Sequence, residues 1–330
     1  MKEFILSVLC ILWLNSGIAQ IQKTDSIYNI WNQVGDIAFQ DNYLYAKTEN
    51  GLRVIDYNDP DNPFIVTSRP LKNGLSSTLL KIKGNYLYSN FVDGIEIFDI
   101  TNSQSPVKVS EISKQNGEIT GFLVANNHVY CSEHEDTPID DITYLVTHDV
   151  TDKTAPVFKN SEELGSGGVI SDFIVGDYIF VNKIQGTYPE ITSSNHVYSI
   201  ASPSFPTNMG EISYFPASTD FQRSDTLYTK DETNIYELDI TNPLEPDTLA
   251  AYGYDGLTDW LLNVHGDSII TNYNGDGKIY TKYGSDSAAF AGMFDLPEGN
   301  MNFRTMKDDR LFYPQTDSAS IVNLSLVPEG

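Results

Sequence analysis

The feature that most constrains the fold is a short motif that recurs along the chain every forty to fifty residues. A two-residue polar turn precedes a variable, an aliphatic and an aromatic residue, as in GNYLY at 84–88. Self-similarity at such a period indicates stacked supersecondary units. The aromatic position falls at Tyr45, Tyr88, Tyr130, Phe180, Tyr228 and Phe312, and Ile270 occupies it in a further copy.

A second motif follows each of the first five copies and ends in proline. Its first residue comes eleven residues after the aromatic position in three copies and nineteen residues after it in the other two. Asp and Asn side chains in such a segment bond to the local backbone, and the closing proline starts a strand without needing an N–H group. The copies read DYNDPDNP (56–63), DITNSQSP (99–106), DVTDKTAP (149–156), SIASPSFP (199–206) and DITNPLEP (239–246).

Each unit between these markers predicts four short strands, A to D, rather than helices. Two-residue turns containing Gly and Asn or Asp favour hairpins, and runs rich in Tyr, Phe, Val and Ile favour strands. Seven units of this kind predict an all-β fold, a seven-bladed β-propeller with four-stranded blades. In the second copy the strands are predicted at 78–83, 86–91, 95–100 and 107–112.

The two ends of the chain are predicted to complete one blade. The seventh unit supplies strands A to C and reaches Gly330 where strand D is due, while a strand is due near Ile21, before the first unit. We therefore expect the last blade to be closed by the N-terminal strand of the mature chain, which removes exposed sheet edges. Residues 20–330 then form a single propeller domain.

The first nineteen residues have the pattern of a secretory signal peptide. Lys2 precedes an apolar run from Phe4 to Leu14, and Gly17-Ile18-Ala19 gives a small-x-small cleavage site before Gln20. The apolar run is too short for an ordinary membrane span, so the pattern predicts a cleaved leader and a secreted, periplasmic or surface location, without a transmembrane segment. An uncleaved anchor and a lipid-modified Cys10 are the alternatives.

Charge and cysteine content exclude several classes of partner and of scaffold. The chain has 45 acidic and 20 basic residues, a formal net charge of −25. Nucleic acid and anionic membranes demand positive charge and are excluded as partners. Once the leader is removed, Cys131 is the remaining cysteine, so no disulfide framework is expected. The mature protein is expected to be a monomer held together by its core.

The combination of an aliphatic-x-aliphatic-x-Asp strand and an Asn-rich loop that ends in Pro resembles the LVIVD repeat family of bacterial secreted and cell-surface proteins. It stands here as LRVIDYNDPDNP, IEIFDITNSQSP and IYELDITNPLEP. The resemblance implies a propeller at the cell exterior. It implies no particular reaction and supplies no catalytic residues.

Motifs for catalysis and for cofactor binding are absent from the sequence. There is no GxSxG, HExxH or CxxC pattern, and the five histidines are scattered among different units. The glycine-rich GSGG at 165–168 is expected before a strand, with no following helix to bind phosphate. The sequence therefore predicts neither catalytic nor cofactor-binding residues, and it favours a binding protein over an enzyme.

One segment is a candidate calcium loop. NYNGDGKI, at 272–279, offers Asn272, Asn274 and Asp276 as oxygen ligands, with Gly277 at the turn. Asn replaces the usual opening Asp, and Tyr283 stands where the closing Glu is due. A plain hairpin turn between strands B and C requires the same residues and is the alternative.

Insertions in the third and fourth units point to a binding face. Eight extra residues separate strands B and C in each, which predicts long neighbouring loops at 132–143 and 183–195. Loops mounted on a rigid scaffold often carry function, so the face formed by B–C and D–A loops is predicted to bind a protein or a glycan. A solvated acidic loop and drift in loop length are the alternatives. The candidate residues are Glu133, His134, Asp136, Tyr188 and Ile191.

The competing function is an extracellular hydrolase or lyase. Such an enzyme would have carboxylates lining an axial pocket, and glycosidic cleavage would require two of them roughly 5–10 Å apart. With 45 acidic residues present, the sequence does not select a pair.

Overall fold

A computed structural model describes residues 22–27, 34–48, 51–59, 62–72, 79–91, 93–136, 141–185, 192–212, 221–230, 233–253, 260–273, 276–295, 305–307, 310–314 and 319–323. These residues form 28 strands and no helix. In the described ranges, no helix is long and apolar enough to span a membrane.

Sixteen consecutive strands form four antiparallel sheets of four strands, each in chain order. The first sheet contains β2 (Val34–Gln40), β3 (Tyr43–Thr48), β4 (Gly51–Asp56) and β5 (Phe64–Arg69). The second contains β6 (Leu80–Lys83), β7 (Tyr86–Phe91), β8 (Gly94–Asp99) and β9 (Val107–Ser113). The third contains β10 (Glu118–Ala125), β11 (His128–Asp136), β12 (Asp141–Asp149) and β13 (Val157–Gly165). The fourth contains β14 (Gly167–Val175), β15 (Tyr178–Gln185), β16 (Thr192–Ser199) and β17 (Thr207–Ile212).

The other strands form one sheet of eight strands and one more sheet of four. The eight-stranded sheet contains β18 (Phe221–Arg223), β19 (Thr226–Lys230), β20 (Asn234–Asp239), β21 (Asp247–Gly253), β22 (Trp260–His265), β23 (Ser268–Tyr273), β24 (Asp276–Tyr283) and β25 (Ser287–Asp295). The last sheet contains β26 (Thr305–Lys307), β27 (Arg310–Pro314), β28 (Ala319–Asn323) and, beside β28, the first strand β1 (Gln22–Ile27).

The sheets are arranged as a β-propeller. The first strands of successive sheets contact one another, β2 with β6, β6 with β10 and β10 with β14, and β26 of the last sheet contacts β2. The first strands therefore lie side by side along the inner side of a ring of sheets, and the last sheet adjoins the first. The pairing of β1 with β28 places the beginning of the described chain and its end in one sheet.

The hydrophobic core lies between neighbouring sheets, because residues alternate in direction along each strand and every sheet has two apolar faces to cover. The aromatic residue of the repeated motif enters these layers, and Tyr45, Tyr88 and Tyr130 are fully buried. The layer between the first and second sheets contains Tyr45, Leu52, Val54, Leu80, Leu87, Phe98 and Ile100. The next layer contains Tyr88, Ile95, Ile97, Ile112, Ile119, Phe122, Val124, Val129, Cys131 and Val150.

The backbone conformation of the turn in the first motif explains why polar residues and glycine occur there. Its first residue adopts the left-handed conformation, which Gly, Asn and Asp tolerate better than other residues. Its second residue offers its carbonyl to the N–H group that follows the third strand, as from Ile100 to Asn85 at 2.8 Å. The left-handed residues are Asp41, Gly84, Asn126, Gly176, Ser224 and Gly266.

The Asp of the second motif accepts a hydrogen bond from the backbone two residues later. The Oδ1 atoms of Asp99, Asp149 and Asp239 accept from the N–H groups of the following threonines at 2.8–2.9 Å. Thr151 and Lys159 hold the pKa of Asp149 at about 2, with the Thr151 contribution the largest. The motif thus caps the end of the third strand and starts the turn that leads to proline.

Neighbouring sheets are also joined by hydrogen bonds from the repeated tyrosine. The hydroxyl of Tyr45 donates to the carbonyl of Ser103 in the next sheet's loop at 3.1 Å, and Tyr130 donates to Pro203 at 3.0 Å. Ser103 and Pro203 occupy the same position of the second motif. The hydroxyl of Tyr88 is buried and has no hydrogen-bond partner in the described part of the chain.

We expect Tyr45→Phe and Tyr130→Phe each to lower the free energy of unfolding by about 1 kcal/mol, since each removes one hydrogen bond and leaves a carbonyl unpaired. Tyr88→Phe removes an unpaired hydroxyl from an equivalent position and is the matched control, with no loss expected. Urea denaturation of the three variants tests this. A loss for Tyr88→Phe equal to the other two would contradict the assignment.

The four strands predicted for the second unit correspond to β6–β9, with ends that differ by at most two residues. Cys131 is fully buried, as free cysteines commonly are. The position predicted for GSGG was wrong, because Gly165 ends β13 and Gly167-Gly168 begin β14.

The loops predicted between strands B and C of the third and fourth units were also wrong over most of their length. The inserted residues lengthen the strands instead. Strands β11 and β12 pair as far as Asp136 and Asp141, and β15 and β16 pair as far as Gln185 and Thr192. Residues 132–136 therefore belong to a hydrogen-bonded ladder, where β-branched and aromatic residues such as Ile142, Thr143 and Tyr144 support extended backbone.

Candidate functional site

One end of the propeller carries both the second hairpin turn of each sheet and the segments that lead to the next sheet. We call it the connection face; the opposite end, with the repeated polar turns and the proline-ended loops, is the turn face. Consecutive antiparallel strands reverse direction, so these two kinds of connection must lie at one end. The connection face is the face that the sequence predicts for binding.

Two neighbouring hairpins rise above the others at the connection face. In the second sheet the hairpin ends at the pair Phe91–Gly94, three residues beyond Tyr88. In the third sheet pairing continues to Asp136, six residues beyond Tyr130, and in the fourth to Gln185, five beyond Phe180. A strand rises about 3.3 Å per residue, so the described ladders of the third and fourth sheets extend about 10 and 7 Å further than the ladder of the second sheet.

Glu133 lies at the base of the taller hairpin and is fully buried. Its Oε2 atom accepts hydrogen bonds from the N–H groups of Asn116 and Gln115 at 2.7 and 2.9 Å, in the connection between the second and third sheets. Burial raises the pKa of Glu133, whereas these amides, with that of Gly117, lower it. The prediction of a solvated acidic loop was wrong for this residue, which holds the connection against β11.

The other acidic-segment candidates lie higher on the same hairpin. His134 is half-buried, and its Nδ1 atom is 3.2 Å from the hydroxyl of Thr143 on the paired strand. Asp136 is exposed and pairs in register with Asp141 at the last rung. The structure brings Glu133, His134 and Asp136 onto one strand but gives them different environments.

The hairpin β15–β16 carries a row of polar side chains that bond to one another. The amide nitrogen of Asn182 donates to the side chains of Asn195 and Ser193 at 2.7 and 2.8 Å, across the pair β15–β16. His196 lies between Ser194, 2.9 Å from Nε2, and Asn208, 3.3 Å from Nδ1. Amide, hydroxyl and imidazole groups in this arrangement suit hydrogen bonding to a hydroxyl-rich or peptide surface.

Two of the predicted binding residues and one metal candidate fall outside the described residues: Tyr188, Ile191 and Asn274. The backbone places Asn272 at the end of β23 and Asp276 at the start of β24, where Tyr273 pairs with Asp276 around the hairpin turn. The calcium prediction stays a prediction. No group of three or more His, Cys, Asp or Glu suited to a metal ion occurs within the described residues.

Sequence analysis missed a buried polar network between the first two sheets. Lys47, 4% exposed, donates to both the carbonyl and the Oδ1 atom of Asn90, the latter at 3.0 Å. The same Oδ1 accepts from the N–H of Leu79 at 2.7 Å. Burial lowers the pKa of Lys47 to about 8, although Asp36 and Glu96 oppose this shift.

The carboxylates of this network also accept backbone N–H groups, one at the start of β6 and one in the connection between the two sheets. Asp36 Oδ2 accepts from the N–H of Leu80 at 2.6 Å, and Glu96 Oε2 accepts from Lys72 at 3.0 Å. Glu96 is 3% exposed and also binds Lys108 Nζ at 2.9 Å. One available signal was that Lys47 and Asn90 share the position two residues after the repeated aromatic, where the strand pattern predicts a buried side chain.

Comparison with known proteins bears on the fold. No family model matches the chain, and no curated protein matches its sequence. Among solved structures it is similar to the computationally designed Ika8 protein, at 12% identity and a TM-score of 0.51, covering 91% of this chain and 99% of that one. A candidate 6-phosphogluconolactonase from Bacteroides fragilis is similar at 10% identity and a TM-score of 0.57, covering 85% and 86%. The AfRom2 CNH domain is similar at 9% identity and a TM-score of 0.53, covering 92% and 98%. At these identities the likeness concerns architecture alone.

Proposed function

We propose that this chain is an exported, non-catalytic interaction module, a seven-bladed propeller whose connection face binds a protein or a glycan. The observation that carries the proposal is the pair of extended hairpins β11–β12 and β15–β16. The described strands of both hairpins pair without interruption, so the surface that these strands present is pre-organised and loses little conformational entropy on binding.

The count of seven blades rests on how the eight-stranded sheet is built. Its halves, β18–β21 and β22–β25, are joined by one parallel pair, Gly253 with Ser287. They also pack against each other through their faces, as the separate sheets do. With each half taken as a four-stranded blade, the ring has seven blades. The layer between the halves contains Tyr228, Ile235, Ala250, Tyr252, Val264, Ile269 and Tyr280.

Export and the likeness to the LVIVD repeats belong to the same proposal. The signal peptide at 1–19 lies outside the described residues. The repeated Asp–loop–Pro motif supports the family resemblance, because its Asp side chain accepts the same backbone hydrogen bond at Asp99, Asp149 and Asp239. An exported propeller with one buried thiol and no disulfide depends on its packed layers for stability.

We favour binding over catalysis because several acidic side chains already accept hydrogen bonds from the backbone. Glu133 and Glu96 are buried and accept backbone N–H groups of the connections between sheets, and the half-buried Asp36 accepts that of Leu80 at the start of β6. A carboxylate committed to backbone amides is held in one position and has limited freedom to act as a general acid or base. Part of the acidic composition is thus explained by carboxylates that have a structural role.

Shortening the two hairpins in register tests the proposal. In one variant Asp-Gly replaces 134–143 and Asp-Gly also replaces 184–193, so that both hairpins end at the rung where the second sheet ends. We expect immobilised full-length mature protein to retain a protein or glycan from envelope and medium fractions that the shortened variant loses.

The matched control shortens one hairpin at a time, with circular dichroism and thermal unfolding to verify folding. Loss in either single variant assigns the contact to that hairpin. If the shortened protein folds and retains the same ligand as the full protein, the connection-face proposal is wrong. Turnover of an offered polysaccharide by both proteins would instead support the hydrolase or lyase.

A further inference from the structure

A cleft on the turn face, opposite the proposed binding face, opens between the second and third sheets. It has a volume of about 460 Å³, within the range of small-molecule sites. Its lining combines two lysines, three asparagines and two tyrosines, with no carboxylate among them. The residues are Lys83, Gly84, Asn85, Tyr86, Tyr88, Val124, Asn126, Asn127 and Lys153.

At the two flanking interfaces, the corresponding place is closed by a pair of hydrogen bonds. One is the bond from the repeated tyrosine to the loop of the next sheet, made by Tyr45 and by Tyr130. The other bond joins the residue two positions before the repeated tyrosine to the same proline-ended loop of the next sheet. Gln104 Nε2 donates to the hydroxyl of Tyr43 at 2.7 Å, and His128 Nε2 lies 2.9 Å from the hydroxyl of Ser204.

Neither bond is present between the second and third sheets. The carbonyl of Lys153, which corresponds to that of Ser103, accepts from the hydroxyl of Ser110 instead. Thr154, which corresponds to Gln104, turns its hydroxyl to Asp152 Oδ1 at 2.7 Å. The buried Tyr88 hydroxyl at the cleft wall is left without a partner in the described part of the chain. The cleft between the second and third sheets therefore lacks both of the bonds that close the flanking interfaces.

The polar groups at the mouth define the chemistry of the ligand. Lys153 Nζ lies over the Tyr86 ring, 5.4 Å from its centre, and donates to Asn127 Oδ1 at 3.2 Å. Lys83 is exposed and forms no ion pair within the described residues. Lys153 Nζ also donates to the carbonyl of Val150, and the amide of Asn126 donates to Asp177 Oδ1 at 2.9 Å. Two ammonium groups in a chain of net charge −25 make a local site for an anion, while the amides of Asn85 and Asn127 can pair with hydroxyl groups.

We propose that this cleft binds a small hydroxylated carboxylate of the hexuronate class. The lysine ammonium groups pair with the carboxylate, the amides of Asn85 and Asn127 pair with hydroxyls, and the rings of Tyr86 and Tyr88 form the wall of the cleft. The site is independent of the extended hairpins, and it adds a small-ligand function to the other face of the propeller.

Titration of the mature protein with galacturonate, followed by isothermal calorimetry and by amide chemical shifts, tests the proposal. We expect binding with shifts centred on the cleft, and at least tenfold weaker binding of galactose, which lacks the charge. Lys83→Met should lower galacturonate affinity about tenfold, the effect of one hydrogen bond to a charged group. Lys114→Met removes a lysine on the connection face and should leave the affinity unchanged.

A closing variant and a competing anion complete the test. Thr154→Gln introduces, opposite Tyr86, the side chain that closes the first interface, and should abolish binding while the thermal transition is retained. The proposal is overturned if galacturonate fails to bind at millimolar concentration or if galactose binds equally well. It is also overturned if inorganic phosphate binds as tightly, which would show a simple anion site.

Discussion

Replacing Glu133 by alanine is expected to lower the free energy of unfolding by about 3 kcal/mol, because buried N–H groups that lose a charged acceptor are left unpaired. The side chain is fully buried and receives the amides of Gln115 and Asn116. Urea denaturation at neutral pH measures the change. Faster hydrogen exchange at the Gln115 and Asn116 amides would locate the loss in the connection between the second and third sheets.

Glu133→Gln separates the effect of the charge at this position on stability from the effect of the side-chain shape. The amide oxygen still accepts both N–H groups, so we expect most of the stability to remain at neutral pH. The pKa of Glu133 is raised by burial above the ordinary 4.5. A raised folded-state pKa means that the folded protein binds more protons, so Glu133 lowers stability as the pH rises above 4.5 toward that pKa. The Gln variant should lack this dependence.

Asp136→Ala provides the matched control, since Asp136 is exposed on the same strand. A change below about 0.5 kcal/mol is expected there, as for most surface substitutions. Equal losses for Asp136→Ala and Glu133→Ala would show that the hairpin as a whole is sensitive, and that the Glu133 carboxylate has no special role in holding the connection.

Lys47 is expected to make the protein more stable as the pH rises from about 8 to 10.5. Burial holds the pKa of this lysine at about 8 in the folded protein, compared with 10.5 for the free side chain. In this window the unfolded chain binds more protons, so unfolding becomes less favourable with increasing pH. The full difference is about 3 kcal/mol at 1.36 kcal/mol for each pKa unit.

Comparison with Lys47→Met isolates this effect, because the titration of tyrosines is common to both proteins. Methionine retains the apolar stem and places no charge between the sheets, and such replacements of buried charges are often neutral or stabilising. Near neutral pH we expect the two proteins to differ little, and above pH 8 the wild type should gain stability relative to the variant. Parallel denaturation curves from pH 7 to 10 would refute the lowered pKa.

Gly51 and Gly94 show that glycine at the start of the third strand is required by packing as well as by turn geometry. In the first two sheets the third strand begins with glycine, and the hairpins close at the pairs Thr48–Gly51 and Phe91–Gly94. The structure adds a packing constraint, since a Cβ atom at Gly94 would lie 1.9 Å from the carbonyl oxygen of Ile112 and one at Gly51 would lie 2.2 Å from that of Arg69. Close approach of the fourth strand therefore requires glycine at the start of the third.

The candidate sites were less accessible to sequence reasoning than the fold. The face with the extended hairpins was predictable, because an eight-residue insertion at the same place in two units is visible in the spacing. That the insertions would continue the ladder was not, since polar residues such as Ser193 and Asn195 suit a loop equally well and are held in strands by their cross-strand partners.

By itself the sequence determined the repeat, the strands and their turns, because these depend on local backbone preferences and on the alternation of buried side chains. The tertiary structure alone decided which polar groups meet. Glu133 is buried because the connection at 115–117 wraps over it, and Tyr88 lacks the partner that Tyr45 and Tyr130 have, while the carbonyl of Lys153 accepts from Ser110. Such pairings join residues some twenty to seventy positions apart and depend on ångström-scale packing of the sheets, which repeat spacing does not encode.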